Sequence, residues 1–507
     1  MFSRLWSATI AGIDGVPVLV ETDVSGGLPG LEIVGLADVA VRESRHRVRS
    51  AIKNSGFEMP ARRITVSLAP ADLHKDGSQM DLAVAAGILC ASGQLSVHRD
   101  QAEYLLLGEL GLDGSLRPVR GVLSMVLSLR EGIKGAVLPW ENSGEVSFLD
   151  GIDLLAARSL GEVARFLQGS GSLSRVGETK TAPPVVEQKV VDAAEIRGQA
   201  VAKRALLVAA CGGHNVLLTG PPGVGKSMLA RALPGLLPDL TREEALEVMR
   251  IHSVAGILPP GGGLVRQRPF RAPHHTVTAT ALIGGGAHPR PGEISLAHRG
   301  VLFLDEMPEF SPSVLNALRQ PIEDGYAVIT RSRGSYRFPC RFQLVGAMNN
   351  CPCGYYGDDL RECSCTPNAR KNYVGRVSGP FLDRMDISIS VARVPVEELT
   401  DACGEPSQAL RERVIEARGR QEKRFGASCI RNNAEMGPRE ISTLVTFSGR
   451  ARKLAFDAVK KMNLSTRAYY RVLKVAVSVA DLECSPRVEE EHVAEALSYR
   501  QTLGQHE

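Results

Sequence analysis

The sequence predicts an α/β protein of three parts in series. Residues 1–168 read as an α/β domain and 169–191 as a linker. Residues 192–395 read as an α/β core with a parallel sheet, and 396–507 as a helical domain. Three observations predict this. A four-residue apolar run, Val216 to Thr219, leads through a glycine-rich loop into a helical stretch, Met228 to Leu233. A second such run, Val301 to Leu304, ends in the paired acids Asp305 and Glu306. Short, wholly apolar runs are what strands buried on both faces look like. Beyond residue 395 the apolar spacing turns helical.

The loop carries the most chemistry. Gly220, Pro221, Pro222, Gly223, Val224, Gly225, Lys226 and Ser227 fit the pattern G-x-x-x-x-G-K-[ST]. Such a loop wraps polyphosphate with backbone N–H groups, and its glycines reach conformations closed to other residues. Lys226 is expected to reach the β- and γ-phosphates and Ser227 to hold Mg²⁺. The phosphates would then sit at a helix N-terminus, where unpaired N–H groups and the helix dipole favour anions. Asp305 is expected to hold Mg²⁺ through water, and Glu306 to orient or deprotonate the attacking water. Together the two stretches predict ATP binding and hydrolysis.

Composition bounds the partners. The 507 residues are 44% hydrophobic and 23% charged, as in ordinary globular proteins. A net charge of +4 means that any nucleic-acid surface must be local. Of ten cysteines, five lie between Cys340 and Cys365, which points to metal or local structure in a reducing compartment rather than a disulfide scaffold. The N-terminal residues lack a signal-peptide pattern, and no apolar run is long enough to span a membrane. A cytoplasmic location is expected.

In the N-terminal part, Val18 to Val20 and Ile64 to Leu68 read as strands, Val39 to Ser55 and Leu82 to Ala91 as helices. Gly169 to Lys189 is rich in Gly, Ser, Thr and Pro without periodicity, hence the linker. The C-terminal part reads as helices over Gln408 to Phe425, Arg439 to Met462, Thr466 to Leu482 and Glu489 to Leu503.

Further motifs narrow the class of ATPase. Ile196-Arg-Gly-Gln199 resembles the adenine-side motif of AAA+ ATPases. Gln343 to Ala347 reads as another core strand, and Asn349 beyond it fits the first sensor of γ-phosphate or attacking water. Gly379 to Asp386 resembles the segment that presents an arginine finger, here Arg384, to a neighbouring subunit's ATP. Such a guanidinium is worth roughly 10³–10⁵ in rate. Arg467, in the helical lid, fits the second sensor. Taken singly, each arginine is as well read as a surface ion pair. A finger acting in trans implies a ring, with a homo-hexamer as the expectation for this class.

Pro269 to His275, Ala281 to Gly286, Pro291 to Ala297 and Ala347 to Gly354 resemble the magnesium-chelatase-like AAA+ family, in the branch that includes bacterial competence proteins. The resemblance covers essentially the whole chain. One departure is Asn350, where the family is expected to carry proline. The resemblance implies a hexameric, ATP-driven DNA motor promoting branch migration in homologous recombination or natural transformation, with recombination proteins as further partners.

The residues give partial independent support for DNA. Two β-like runs flank Arg333-Gly334-Ser335, and Arg331, Arg333, Arg337 and Arg341 fall there with no acid among them. Arginine binds phosphate and Tyr336 can stack on a base, although a solvated hairpin is the plainer reading. The stretch from Pro259 to Arg299 carries Arg266, Arg268, Arg271, Arg290 and Arg299 and resembles the insert of chelatase-type proteins, a second candidate pore loop. Adjacent His274 and His275 favour packing or hydrogen bonding over metal ligation. Cys351, Cys353, Cys363 and Cys365 form C-x-C, nine residues, then C-x-C; the set is open to Zn²⁺ and equally to free, buried thiols.

Leu73 to Leu82 and Gly108 to Gly121 resemble the proteolytic domain of Lon, which uses a serine activated by lysine. The match places Gln79 at the nucleophile and Leu123 at the lysine, so an inactive Lon-like domain is expected, with Ser78 as a displaced alternative. Rival readings are a chelatase subunit, a protease, and a protein-remodelling ATPase that does not act on DNA.

Overall fold

The computed structural model describes residues 2–500, apart from 36–38, 76, 99–100, 178–189, 259–262, 287, 332–333, 359, 396–403, 427 and 463. The N-terminal part is a mixed eight-stranded sheet. In spatial order its strands are Ser174–Arg175, Asp153–Ala157, Gly135–Pro139, Tyr104–Leu106, Phe2–Ala11, Asp14–Ser25, Arg63–Ala69 and Gly30–Val34. The run Val18 to Val20 read from sequence lies within a 12-residue strand, Asp14–Ser25, whose alternate residues are buried. Helix Asp81–Ala91 is apolar all round because it is buried on nearly every side. The sheet runs on past residue 168: Ser174 and Arg175 pair with Ala156 and Leu155. Most of the expected linker, 178–189, lies outside the described residues.

The core carries a five-stranded, wholly parallel sheet in the order Phe270–Arg271, Val301–Leu304, Gln343–Met348, Val216–Thr219, Ile387–Ser390. The Val216–Thr219 strand therefore has later strands on both sides. Ligands of such sheets bind where the strand order reverses, at the carboxyl ends. The central strands are buried residue for residue, which is why they read as unbroken apolar runs.

Helix Arg242–Ala255 ties core to N-terminal domain. Met249 joins the apolar cluster of Leu105, Val122 and Met125, Gly121 N–H donates to Ser253 O at 3.2 Å, and the Ser253 hydroxyl donates to Glu145. Burial raises the Glu145 carboxyl above its usual range.

The C-terminal helices are Ser407–Phe425, Pro438–Leu444, Gly449–Lys461, Thr466–Leu482 and Glu490–Ser498. The single helix expected over Arg439 to Met462 is two. Ser448 caps the second by accepting from Ala451 N–H, and Phe447 forms a bridge with Val488. Residues 501–503 of the last expected helix lie outside the described residues. No described helix is long and apolar enough to cross a membrane.

Candidate nucleotide-binding site

The loop leaves the Val216–Thr219 strand with Gly220 at φ 147°, Gly223 at 78° and Gly225 at 93°, and helix Lys226–Leu236 begins directly after it. Gly220 also meets a space limit, since a Cβ there would lie 2.3 Å from Val391 O. Lys226 is buried. Its ammonium donates to Gly220 O at 2.8 Å, Pro221 O at 2.7 Å and Asn349 Oδ1 at 3.0 Å. Burial lowers its pKa to about 8, against the opposing pull of Asp305 and Glu306.

Ser227 Oγ donates to Asp305 Oδ2 at 2.8 Å. A hydroxyl and a carboxylate converging at a loop that cradles phosphate are the hard oxygen donors Mg²⁺ requires. Ile196 is buried, and Gln199, left-handed at φ 55°, donates to Ala392 O at 2.6 Å. That bond ties the 196–199 segment to the chain just beyond the Ile387–Ser390 strand. Lys226, Ser227, Asp305, Glu306 and Asn349 thus meet at one end of the sheet.

Glu306 shows a feature that spacing did not reveal. Its backbone is left-handed at φ 51°, its side chain is largely exposed, and His275 Nδ1 stands 3.6 Å from Oε2. His274 stacks on His275 with centroids 4.1 Å apart. The signal was topological: the Phe270–Arg271 strand, which precedes His275, pairs with the Val301–Leu304 strand, which precedes Glu306.

Arg384 and Arg467 lie elsewhere. Arg384 pairs with Glu323 Oε1 at 2.9 Å, Arg467 pairs with the same oxygen, and Arg471 stands 3.4 Å from Asp386. They line a cleft of about 740 Å³ to which none of Gly220–Ser227 contributes.

Tyr326–Arg331 and Gly334–Pro339 form the expected antiparallel hairpin, with Arg331 opposite Gly334. Arg331 and Arg337 are exposed; Arg333 lies outside the described residues. Tyr336 is half-buried beside Gly12 of the N-terminal domain, and the Arg337 guanidinium sits 3.5 Å over the Tyr326 ring. The Gly284–Gly285 and Arg290–Pro291 ribbon stands alongside. Three of the five arginines expected to make the 259–299 insertion a pore loop are bound within the domain: Arg268 to Glu244, Arg271 to Glu293 and Arg299 to Glu247. Arg266 and Arg290 are exposed.

Gln79 is buried with its amide 3.3 Å from Thr9 Oγ1, the Ser78 hydroxyl donates to Glu109, and Leu123 is fully buried. The four cysteines of the 351–365 stretch converge, each sulfur within 4.8 Å of the others.

The strand order, the loop and the acid pair define a P-loop ATPase of the AAA+ class. The chain belongs to the magnesium chelatase subunit ChlI family: the family's main model matches residues 192–399, its ChlI model 20–142 and its ChlI C-terminal model 404–500. It is 43% identical to protein YifB of Escherichia coli, over 96% of this chain and 95% of that one. It is 42% identical to competence protein ComM of Haemophilus influenzae, over 98% of this chain and 97% of that one. A shorter likeness, 27% over 140 residues, is to a Lon protease of Desulfovibrio desulfuricans.

Proposed function

We propose that this protein is a homo-hexameric ATPase that moves on DNA and promotes branch migration in homologous recombination or natural transformation, in the cytoplasm and alongside recombination proteins. Near-full-length similarity to a competence protein supports the process. The single observation that carries the DNA reading is the exposed pair Arg331 and Arg337 on a hairpin beside Arg290, in a chain whose net charge is only +4. The register puts Arg331 and Arg337 on opposite faces of the hairpin, so the ribbon offers an exposed guanidinium to a phosphate backbone on either side.

In this reading Lys226 would neutralise the β- and γ-phosphates, and Ser227, with Asp305 through water, would hold Mg²⁺, which would supply charge neutralisation on the phosphate oxygens. Glu306 takes the proton of the attacking water, and His275 holds its carboxylate before nucleotide is in place. Asn349 passes from Lys226 to the γ-phosphate or water. Arg384, in a cleft apart from its own loop, reaches the ATP of the neighbouring subunit as finger, and Arg467 in the helical lid serves as second sensor. The Lon-like N-terminal domain serves assembly or DNA contact, not proteolysis. Conversion of a labelled three- or four-stranded DNA junction, dependent on ATP and lost in Glu306→Gln, tests the proposal. ATP turnover indifferent to DNA would favour a chelatase-like or protein-remodelling role.

A further inference from the structure

Between the sensor strand and the arginine-finger segment, two C-x-C segments bring four thiols to one point. Cys351 Sγ lies 3.3 Å from Cys353 Sγ, Cys353 Sγ 3.6 Å from Cys363 Sγ, and Cys363 Sγ 3.6 Å from Cys351 Sγ. Cys365 completes a set in which all four sulfurs lie within 4.8 Å of one another. All four are free thiols. Sulfurs about 2.3 Å from a central ion at tetrahedral angles stand about 3.8 Å apart, so the observed set brackets the spacing for a single ion. A four-iron cluster would spread its thiolates far wider. Backbone amides already aim at the sulfurs: Tyr356 N–H donates to Cys351 Sγ at 3.3 Å, and Cys365 N–H to Cys363 Sγ at 3.4 Å. Such donors orient thiolate ligands and favour their charged form.

We infer that Cys351, Cys353, Cys363 and Cys365 bind a structural Zn²⁺ ion that braces the phosphate-binding loop from behind. The brace is visible in the packing. Gly354, at φ 89°, is pressed so close to the loop that a Cβ there would lie 2.6 Å from Pro222 Cγ and 3.8 Å from Asn349 Nδ2. Asn350 Nδ2 donates to Tyr356 O at 3.2 Å, closing the turn on the sensor side. Asp358 pairs with Arg393 at 2.8 Å and ties the same turn to the chain following the last core strand. The ion therefore fixes a segment that touches both Pro222 and Asn349. The effect on ATP turnover rests on the ATPase reading above; the metal site itself does not.

The test uses the reduced full-length protein. Elemental analysis is expected to find stoichiometric zinc, released by a mercurial thiol reagent and absent from the Cys363→Ser/Cys365→Ser variant. Reloading the wild-type protein with Co²⁺ alone is expected to give the intense sulfur-to-cobalt charge-transfer and ligand-field absorption of a tetrahedral tetrathiolate site. Substoichiometric zinc together with no such cobalt spectrum would overturn the site, and so would stoichiometric iron in place of zinc. These readouts need neither activity nor a well-folded variant. Removal of the ion is also expected to lower ATP turnover roughly tenfold or more, with recovery on adding zinc back. Unchanged turnover in metal-free protein would overturn the bracing role.

Discussion

Lys226 Nζ lies 3.0 Å from Asn349 Oδ1, across 123 residues of sequence, and this contact ties the phosphate-binding loop to the end of the Gln343–Met348 strand. The same ammonium also donates to the carbonyls of Gly220 and Pro221. With its pKa lowered by burial to about 8, Lys226 is charged below that pH and neutral above it in the nucleotide-free protein. Phosphate draws the proton back, so nucleotide binding takes up a proton above about pH 8. Affinity for a non-hydrolysable ATP analogue should be flat below about pH 7 and fall towards tenfold per unit beyond about pH 8. Titration across that range checks it, and a flat profile to pH 9 would show that burial leaves the Lys226 pKa at its ordinary value.

Glu306→Gln should keep nucleotide affinity within a few-fold while turnover falls by about 10²–10⁴, the usual range for a lost general base. Equilibrium binding beside steady-state phosphate release separates the two. His275→Ala frees the same carboxylate and should change turnover without DNA more than affinity.

Arg384 and Arg467 converge on Glu323, outside the loop of their own chain. Arg384→Ala should therefore bind ATP normally and turn it over about 10³-fold more slowly. Mixed with Lys226→Ala, which lacks the other half of the site, it should recover part of the activity. Absence of any recovery in mixed assemblies would argue against action across an interface.

Arg331→Ala and Arg337→Ala should each weaken DNA binding and reduce the slope of log K against log salt by about one. ATP turnover without DNA should not change, because both side chains stand on a two-stranded ribbon separate from the parallel sheet whose strands lead to Lys226 and Glu306. Fluorescence anisotropy at several salt concentrations measures both effects.

Stability of the helical domain draws on an ion pair between the buried Asp481 and the partly exposed Arg424. Asp481 accepts from Arg424 Nη1 at 3.0 Å and from Asn433 Nδ2 at 2.8 Å. Asp481→Ala strips the carboxylate from a partly exposed Arg424 and from Asn433, and should cost about 1.5–3 kcal/mol, the range for hydrogen bonds to a charged group. The loss should show as a lower urea midpoint, against little change for the exposed Glu491→Ala.

What sequence made legible follows from local physics. Val216–Thr219 and Val301–Leu304 announced themselves because both faces of the parallel sheet are covered. The glycines of the loop stand at left-handed angles that only their residue type adopts freely. Relations across the sheet were hidden. His275 meets Glu306 only because their strands are neighbours, and Arg268, Arg271 and Arg299 looked like a basic surface until their acids, far away in sequence, came into view. The break at Val445–Phe447 was readable in principle from Ser448, a capping residue inside an otherwise helical pattern.

The central claim is a DNA motor driven by this ATP site. Its most direct test is ATP-dependent branch migration of a labelled junction by the purified full-length protein, with Glu306→Gln in parallel. The account predicts conversion by the wild type, none by the variant, and ATP turnover raised by DNA. Absence of conversion, with turnover the same whether or not DNA is present, would contradict it.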